Sequence, residues 1–180
     1  MSDPTKISRR LVAVFAADVE AYSRLVGSDE VGTLKGLTER RAILDKLIGD
    51  HGGRIANTAG DSVLAEFGSA VEAVQCAIDA QIALVESNSS LPPDRRIQFR
   101  IGIHIGDVVV RGGDLFGDGV NLAARLESLA EPGGICISSS AYEQVHGKVK
   151  VDFADLGEHY LKNISRPMRA YAVGLKANAD

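Results

Sequence analysis

The stretch LVAVFAAD, residues 11–18, decides the fold of this chain. An uninterrupted apolar run of this length is typical of a central strand that is buried on both faces, and here it ends in an acid, Asp18. A carboxylate at the point where a buried strand meets a turn is held rigidly at the surface of the core. Asp18 is therefore the first candidate for a functional site.

A second acid, Asp61, lies between two short strand-like segments, residues 54–57 and 62–67. This pattern predicts a hairpin whose tip carries Asp61, with Gly60 supplying the positive φ that the turn needs. Two carboxylates side by side form a hard, oxygen-rich site suited to Mg²⁺ or Mn²⁺. A pair of such ions is a common device for phosphoryl transfer.

Apolar residues at three-to-four spacing predict helices over about 29–50, 70–87 and 119–130, and strict alternation predicts a strand over 97–105. The order strand–helix–strand–strand–helix–strand, followed by further elements, predicts an α+β ferredoxin-like sandwich, a βαββαβ core with additional C-terminal strands. In that topology the first strand and the hairpin are neighbours. Asp18 and Asp61 are therefore expected to face each other, although 43 positions separate them.

The composition indicates one globular domain, because 180 residues that are 45% hydrophobic can bury a sizeable core. We expect the domain to span 9–174, between a loose N-terminal segment 1–8 and a loose tail 175–180. A net charge of −4 argues against general nucleic-acid binding. Cys76 and Cys136 follow no metal spacing, and we find no apolar run of membrane-spanning length and no signal peptide. A cytoplasmic protein is the expectation.

Three motifs carry a resemblance to a known family: FAADV at 15–19, AGDSVLA at 59–65 and GDGVNLAAR at 117–125. In this order and spacing they resemble the class III nucleotidyl cyclase catalytic domain, the adenylate and guanylate cyclase homology domain, and most closely its bacterial members. The resemblance covers about 9–174. It implies the nucleotide cyclase fold and a phosphorus–oxygen lyase that converts ATP to cyclic AMP and pyrophosphate.

The resemblance also implies the metal site. Asp18, Asp61 and the backbone carbonyl of Val19 would bind two Mg²⁺ or Mn²⁺ ions in each site. The alternative is structural: Asp18 is a helix N-cap and Asp61 a turn residue.

Asn121 and Arg125 are four residues apart and so share one face of the third helix. By resemblance, Asn121 orients the ribose and Arg125 stabilises charge on the α-phosphate. The alternative is a surface pair between Arg125 and Glu127, with Asn121 solvated.

Three further residues are assigned to the phosphates by resemblance. Tyr22 and Ser23, in the turn after Asp18, would cradle the β- and γ-phosphates, although Tyr22 can equally pack on the core. Lys162 aligns with a family lysine that reaches the phosphates from the partner subunit. The alternative is that Lys162 is an ordinary solvated surface charge. Two positions depart from the family: Ala21 replaces a glycine, and Asp107 stands where some members have a phosphate-binding arginine.

The residues that read the base are Asp114 and Asn57. Asp114 matches the aspartate of adenylate cyclases, whereas Asn57 replaces their lysine and can contact either base. The expected substrate is therefore ATP, with GTP open. His104, on the polar side of the 97–105 strand, is interpreted as a histidine bonded near the sheet surface rather than as a general base.

In this family the metal ligands and the Asn/Arg pair of one site come from different subunits. A chain that carries both sets, as this one does, is expected to form a head-to-tail homodimer with two equivalent sites. Two alternatives remain: a guanylate or dual-specificity cyclase, and a non-catalytic dimerisation or nucleotide-sensing module of a larger signalling protein.

Overall fold

The protein is described by a computed structural model that covers residues 6–160 and 165–178. The strands are β1 (Ile7–Val19), β2 (Arg54–Ala59), β3 (Ser62–Phe67), β4 (Phe99–Arg111), β5 (Asp114–Phe116), β6 (Ile135–Ser138), β7 (Val151–His159) and β8 (Met168–Ala177). The helices are α1 (Tyr22–Ser28), α2 (Glu30–Asp50), α3 (Ala70–Asn88), α4 (Asp118–Leu129) and α5 (Ser139–Val145), with a 3₁₀ turn at Pro93–Arg95.

The strands form one sheet in the order β2-β3-β1-β4-β6-β8-β7, and β5 pairs with β4. The first four positions, β2-β3-β1-β4, are the antiparallel core expected of the βαββαβ sandwich, and β6, β7 and β8 extend it. The predicted fold class is therefore confirmed. Strand β1 lies between β3 and β4, so the end of β1 lies beside the turn that joins β2 to β3.

Strand β1 is buried on both faces, as its apolar run predicts. Phe15 and its odd-numbered neighbours pack into the main core with α2 and α3, whereas Val14 and its even-numbered neighbours pack against Ala123 of α4 on the opposite face. The sheet is thus covered by helices on both sides. Asp18 has the same parity as Val14 and belongs to the α4 face.

Helix α4 lies directly on β4 at Gly102. A β-carbon at this position would collide with the backbone of Ala123 and Glu127 and lie 2.8 Å from the Glu127 Cα. Glycine is therefore required here because the backbones of strand and helix approach each other closely. This contact fixes the distance of α4 from the sheet. It therefore also fixes the position of the side chains on that helix.

We expect Gly102→Ala to destabilise the domain by about 3 kcal/mol, because the obstacle is backbone and cannot rotate away. Urea unfolding of the purified chain measures this. Gly68→Ala is the matched control, since a β-carbon at Gly68 meets nothing within 4 Å. An unchanged unfolding midpoint for Gly102→Ala would show that α4 does not rest on the strand.

The predicted loose terminal segments, 1–8 and 175–180, extend further into the chain than the structure shows. Strand β1 already begins at Ile7, which pairs with Arg111, and β8 continues to Ala177, which pairs with Val151. These residues are ordered by ladder hydrogen bonds, which apolar periodicity does not reveal. Within the described residues, no helix is both long and apolar enough to cross a membrane.

Candidate active site

The two acids singled out from the sequence lie at the same end of β1. Asp61 sits at the tip of the β2–β3 hairpin, where Gly60 has a φ of 59°. The Val19 backbone N–H donates a hydrogen bond of 2.9 Å to Asp61 Oδ2. The hairpin tip is therefore tied to the residue that follows Asp18, and topology turns two distant acids into neighbours.

Arg100 is a member of this cluster that the sequence reasoning missed. It lies directly opposite Asp18 in the β1–β4 register. Its Nε donates to Asp18 Oδ1 at 3.1 Å and its Nη2 donates to Asp18 Oδ2 at 2.9 Å, a bidentate pair. The bond to Asp18 is the main reason why the pKa of Arg100 is raised.

Glu127 of α4 is the second missed member. It is 8% exposed, and its Oε1 lies 3.5 Å from Arg100 Nη2. Burial first, then the adjacent carboxyl of Asp18 and the more distant Asp61, raises the pKa of Glu127 to about 9. This inward position rules out the alternative in which Glu127 forms a surface pair with Arg125.

The charge balance of the cluster favours a cation. Asp18, Asp61 and Glu20 outnumber Arg100, which pairs with Asp18 and Glu127, whereas the raised pKa of Glu127 favours the neutral form of that side chain. The described residues contain no group of three or more His, Cys, Asp or Glu side chains that could hold a metal alone. Mg²⁺ in nucleotide enzymes is commonly held by one or two carboxylates together with substrate phosphates, so this donor set fits it.

Asn121 and Arg125 lie on the side of α4 away from its buried residues Ala123 and Leu126. Asn121 is exposed and Arg125 is half-buried. Both side chains thus lie on the outer side of the same helix whose inner face carries Glu127. Their roles at ribose and phosphate stay predictions.

Asn57 and Asp114 are brought into contact. Asn57 Nδ2 donates to Asp114 Oδ1 at 2.6 Å, and the Leu115 backbone N–H donates to the same oxygen at 2.8 Å. Asp114 Oδ1 thus accepts two hydrogen bonds, and one of them fixes the side chain beside the amide of Asn57. The two positions assigned to base reading therefore form one unit at the β2–β5 contact.

Comparison with known proteins decides the family. The family model described as "Adenylate and Guanylate cyclase catalytic domain" matches residues 6–174. The chain belongs to this family. Its relatives and structural neighbours support the same assignment and confirm the predicted class of enzyme, a nucleotide cyclase.

Two curated relatives of the cyclase domain are named as adenylate cyclases. Putative adenylate cyclase 3 of Rhizobium meliloti is 49% identical over 174 residues, covering 96% of this chain and 30% of that protein. The adenylate cyclase of Streptomyces coelicolor is 32% identical over 146 residues, covering 79% of this chain and 36% of that protein. The chain thus spans about a third of the length of each.

Two solved structures resemble the cyclase domain over nearly their whole length. The adenylate/guanylate cyclase/hydrolase from Silicibacter pomeroyi has a TM-score of 0.88 and 43% identity, covering 93% of this chain and 98% of that one. The adenylyl cyclase CyaB from P. aeruginosa has a TM-score of 0.85 at 24% identity, covering 97% and 98%, and shows the fold alone.

The turn after Asp18 in this cyclase domain places Tyr22 and Ser23 at the start of α1. Ser23 is exposed. Tyr22 is half-buried and packs against the main core, which is the structural alternative to phosphate binding, and the two roles are compatible. Ala21 adopts a φ of 54°, a conformation that favours the glycine of other family members. Lys162 lies outside the described residues.

His104 of the cyclase domain is held by serines. Its Nδ1 lies 2.9 Å from Ser138 Oγ and 3.3 Å from Ser140 Oγ, and burial lowers its pKa to about 4. A neutral histidine held by side chains at the start of α5 agrees with the interpretation of a bonded residue near the sheet surface. Asp107, the other departure, is exposed on β4 opposite Leu11.

Proposed function

We propose that this domain is an adenylate cyclase that converts ATP to 3′,5′-cyclic AMP and pyrophosphate. The observation that carries the proposal is that Asp18 and Asp61 both lie at the end of β1, where the Val19 backbone N–H binds Asp61. Relatives named as adenylate cyclases support the choice of ATP.

In the proposed reaction the ribose 3′-oxygen forms a bond to the α-phosphorus while the bond from that phosphorus to the bridging oxygen breaks. Pyrophosphate leaves with the bridging oxygen, and the proton of the 3′-hydroxyl passes to solvent water. Asp18, Asp61 and the Val19 carbonyl would hold two Mg²⁺ or Mn²⁺ ions. When bound, two such ions activate the attacking oxygen and stabilise the leaving phosphate.

The remaining residues position the substrate and neutralise its charge. Asn121 would orient the ribose, and Arg125 would neutralise the charge that develops on the α-phosphate. Tyr22 and Ser23 would bind the β- and γ-phosphates beside the metal acids, and Lys162 would reach the phosphates from the partner subunit.

We infer that the active species is a head-to-tail homodimer in which Asp18 and Asp61 of one subunit face Arg125 of the other. The surface supports an interface of this kind. Ile7, Leu11 and Phe116 are 63%, 70% and 48% exposed, and all three lie where the first part of β1 runs beside the end of β4 and β5. Exposed apolar side chains grouped in this way are typical of a protein contact.

The base preference rests on Asn57 and Asp114. The Oδ2 of Asp114 can accept a hydrogen bond from the exocyclic amine of adenine, which favours ATP. The replacement of the family lysine by Asn57 favours a second candidate, a guanylate or dual-specificity cyclase, because an amide both donates and accepts.

Purified protein incubated with Mn²⁺ and either ATP or GTP, with both cyclic products quantified, tests the proposal. We expect cyclic AMP to predominate, and Asn57→Lys to widen the ATP preference by about tenfold because a fixed donor replaces an ambiguous amide. Thr58→Lys, an added lysine at the adjacent exposed position, is the control. Predominant cyclic GMP would support the second candidate, and no product from either nucleotide would indicate a non-catalytic dimerisation or nucleotide-sensing module.

A cytoplasmic location follows from the proposed substrate, since ATP is a cytoplasmic metabolite. The thiols agree with a reducing compartment, because Cys76 and Cys136 are both buried and free.

A further inference from the structure

The pair formed by Arg100 and Asp18 lies in the middle of the proposed metal site. Both side chains are about three-quarters removed from water, with exposures of 25% and 24%. The guanidinium occupies both oxygens of the carboxylate. A pair of this kind satisfies two charges that would be costly to bury singly.

Arg100 therefore competes with the ligand that Asp18 is proposed to bind. A divalent cation needs the same carboxylate oxygens, and a guanidinium held beside them repels it. Entry of the cation requires the hydrogen bonds from Arg100 to Asp18 to weaken or break. Arg100 then needs another acceptor, because a charged group this far removed from water is costly without a partner.

Glu127 is placed to be that acceptor, because a carboxyl oxygen can accept a hydrogen bond in either protonation state. Its Oε1 is 3.5 Å from Arg100 Nη2, a contact that a small shift of the guanidinium would shorten. Among the described residues, Arg100 is the basic side chain that pairs with Glu127. The close seating of α4 on Gly102 holds Glu127 at this height above the sheet.

We propose that Arg100 is a positioning residue that holds Asp18 until the cations bind, and that Glu127 then receives its guanidinium. The inference rests on the proposed function, because it requires Asp18 to be a metal ligand. The planar fork of arginine suits both tasks, since it can hold one carboxylate bidentately while it contacts a second.

Mn²⁺ binding to the purified full chain, followed by electron paramagnetic resonance of the free ion, tests this proposal without any measurement of activity. We expect Arg100→Gln to bind Mn²⁺ about tenfold more tightly than wild type, because a competing positive charge has gone. We expect Glu127→Gln to bind it about threefold more weakly, because an amide is a poorer acceptor for the displaced guanidinium. Arg24→Gln, at an exposed arginine, is the control and should bind like wild type.

Thermal unfolding gives the second readout. Without metal, Arg100→Gln should melt at a lower temperature than wild type. Added Mn²⁺ should raise the melting temperature of this variant more than that of wild type. An arginine with only a structural role would lower the melting temperature and leave the Mn²⁺ affinity unchanged, and that result would overturn the proposal. If Arg100→Gln does not fold, the Mn²⁺ affinity of Glu127→Gln decides. A wild-type Mn²⁺ affinity for Glu127→Gln would contradict the movement of the Arg100 guanidinium to Glu127.

The two proposals fail separately. If wild type, Arg100→Gln and Asp18→Asn all lack measurable Mn²⁺ binding, the role of Arg100 is refuted, whereas the cyclase function is judged by cyclic AMP formation, because substrate phosphates supply the remaining ligands. If wild type binds Mn²⁺, Asp18→Asn does not, and Arg100→Gln binds like wild type, the cyclase function stands and only the role of Arg100 is refuted.

Discussion

Asp61→Asn is expected to lower cyclase activity on the order of 10³-fold while leaving the fold intact. The amide oxygen of asparagine can still accept the hydrogen bond from the Val19 backbone N–H, so the hairpin tip keeps its attachment to β1. What is lost is one negative charge at the proposed metal site. Initial rates of cyclic AMP formation at saturating ATP and Mn²⁺ measure the effect.

Asp152→Asn is the matched control, because Asp152 is an exposed acid on β7, at the opposite edge of the sheet from the β2–β3 hairpin. It should keep wild-type activity. A fall of less than about tenfold for Asp61→Asn, with an unchanged melting temperature, would mean that a positioned electrostatic contribution is absent at this residue.

Arg125→Ala is expected to lower kcat by about 10³-fold, in line with the effect of arginines that neutralise charge in other phosphoryl transfers. Since Arg125 is proposed to act on charge that develops during the reaction, the effect should fall on kcat more than on KM. Steady-state kinetics over a range of ATP concentrations separates the two constants.

Arg41→Ala removes another helical arginine, one that pairs with Asp45 on α2, and serves as the control with little expected change. If Arg125→Ala instead raised KM at constant kcat, Arg125 would contribute to ground-state binding and not to the transition state.

The order of the elements could be predicted from the sequence because each core segment carries a clear period. The continuous run at 11–18 and the alternation at 97–105 define β1 and most of β4. The hairpin turn is marked by Gly60, whose φ is positive as expected. Topology then brings Asp18 and Asp61 together, which their separation in the chain alone would not suggest.

Arg100 and Glu127 could not be placed in the same way. Arg100 falls on the polar side of an alternating strand, which sequence reasoning treats as solvent-facing, yet the β1–β4 register sets it against Asp18. Glu127 looks like a surface residue next to Arg125, and only the seating of α4 on Gly102 turns it inward. The one sequence feature that points to Arg100 is its position as a basic residue on the polar side of a central strand.

The residues proposed to read the base show a similar limit. The resemblance to the family assigns Asn57 and Asp114 separately, but their mutual hydrogen bond depends on the contact between β2 and β5. That bond occupies one acceptor oxygen of Asp114. If the two residues read the base as proposed, specificity depends on how their side chains combine, which neither residue type predicts alone.

The most direct test of the shared site is to mix two inactive variants, Asp61→Asn and Arg125→Ala. In a head-to-tail homodimer, half of the dimers in an equal mixture combine both variants, and each of these has one intact site. We therefore expect the mixture to recover about a quarter of wild-type activity at equal total protein. Recovery of none, with mixed dimers shown to form by differently tagged chains, would mean that the acids and Arg125 of one reaction belong to the same subunit.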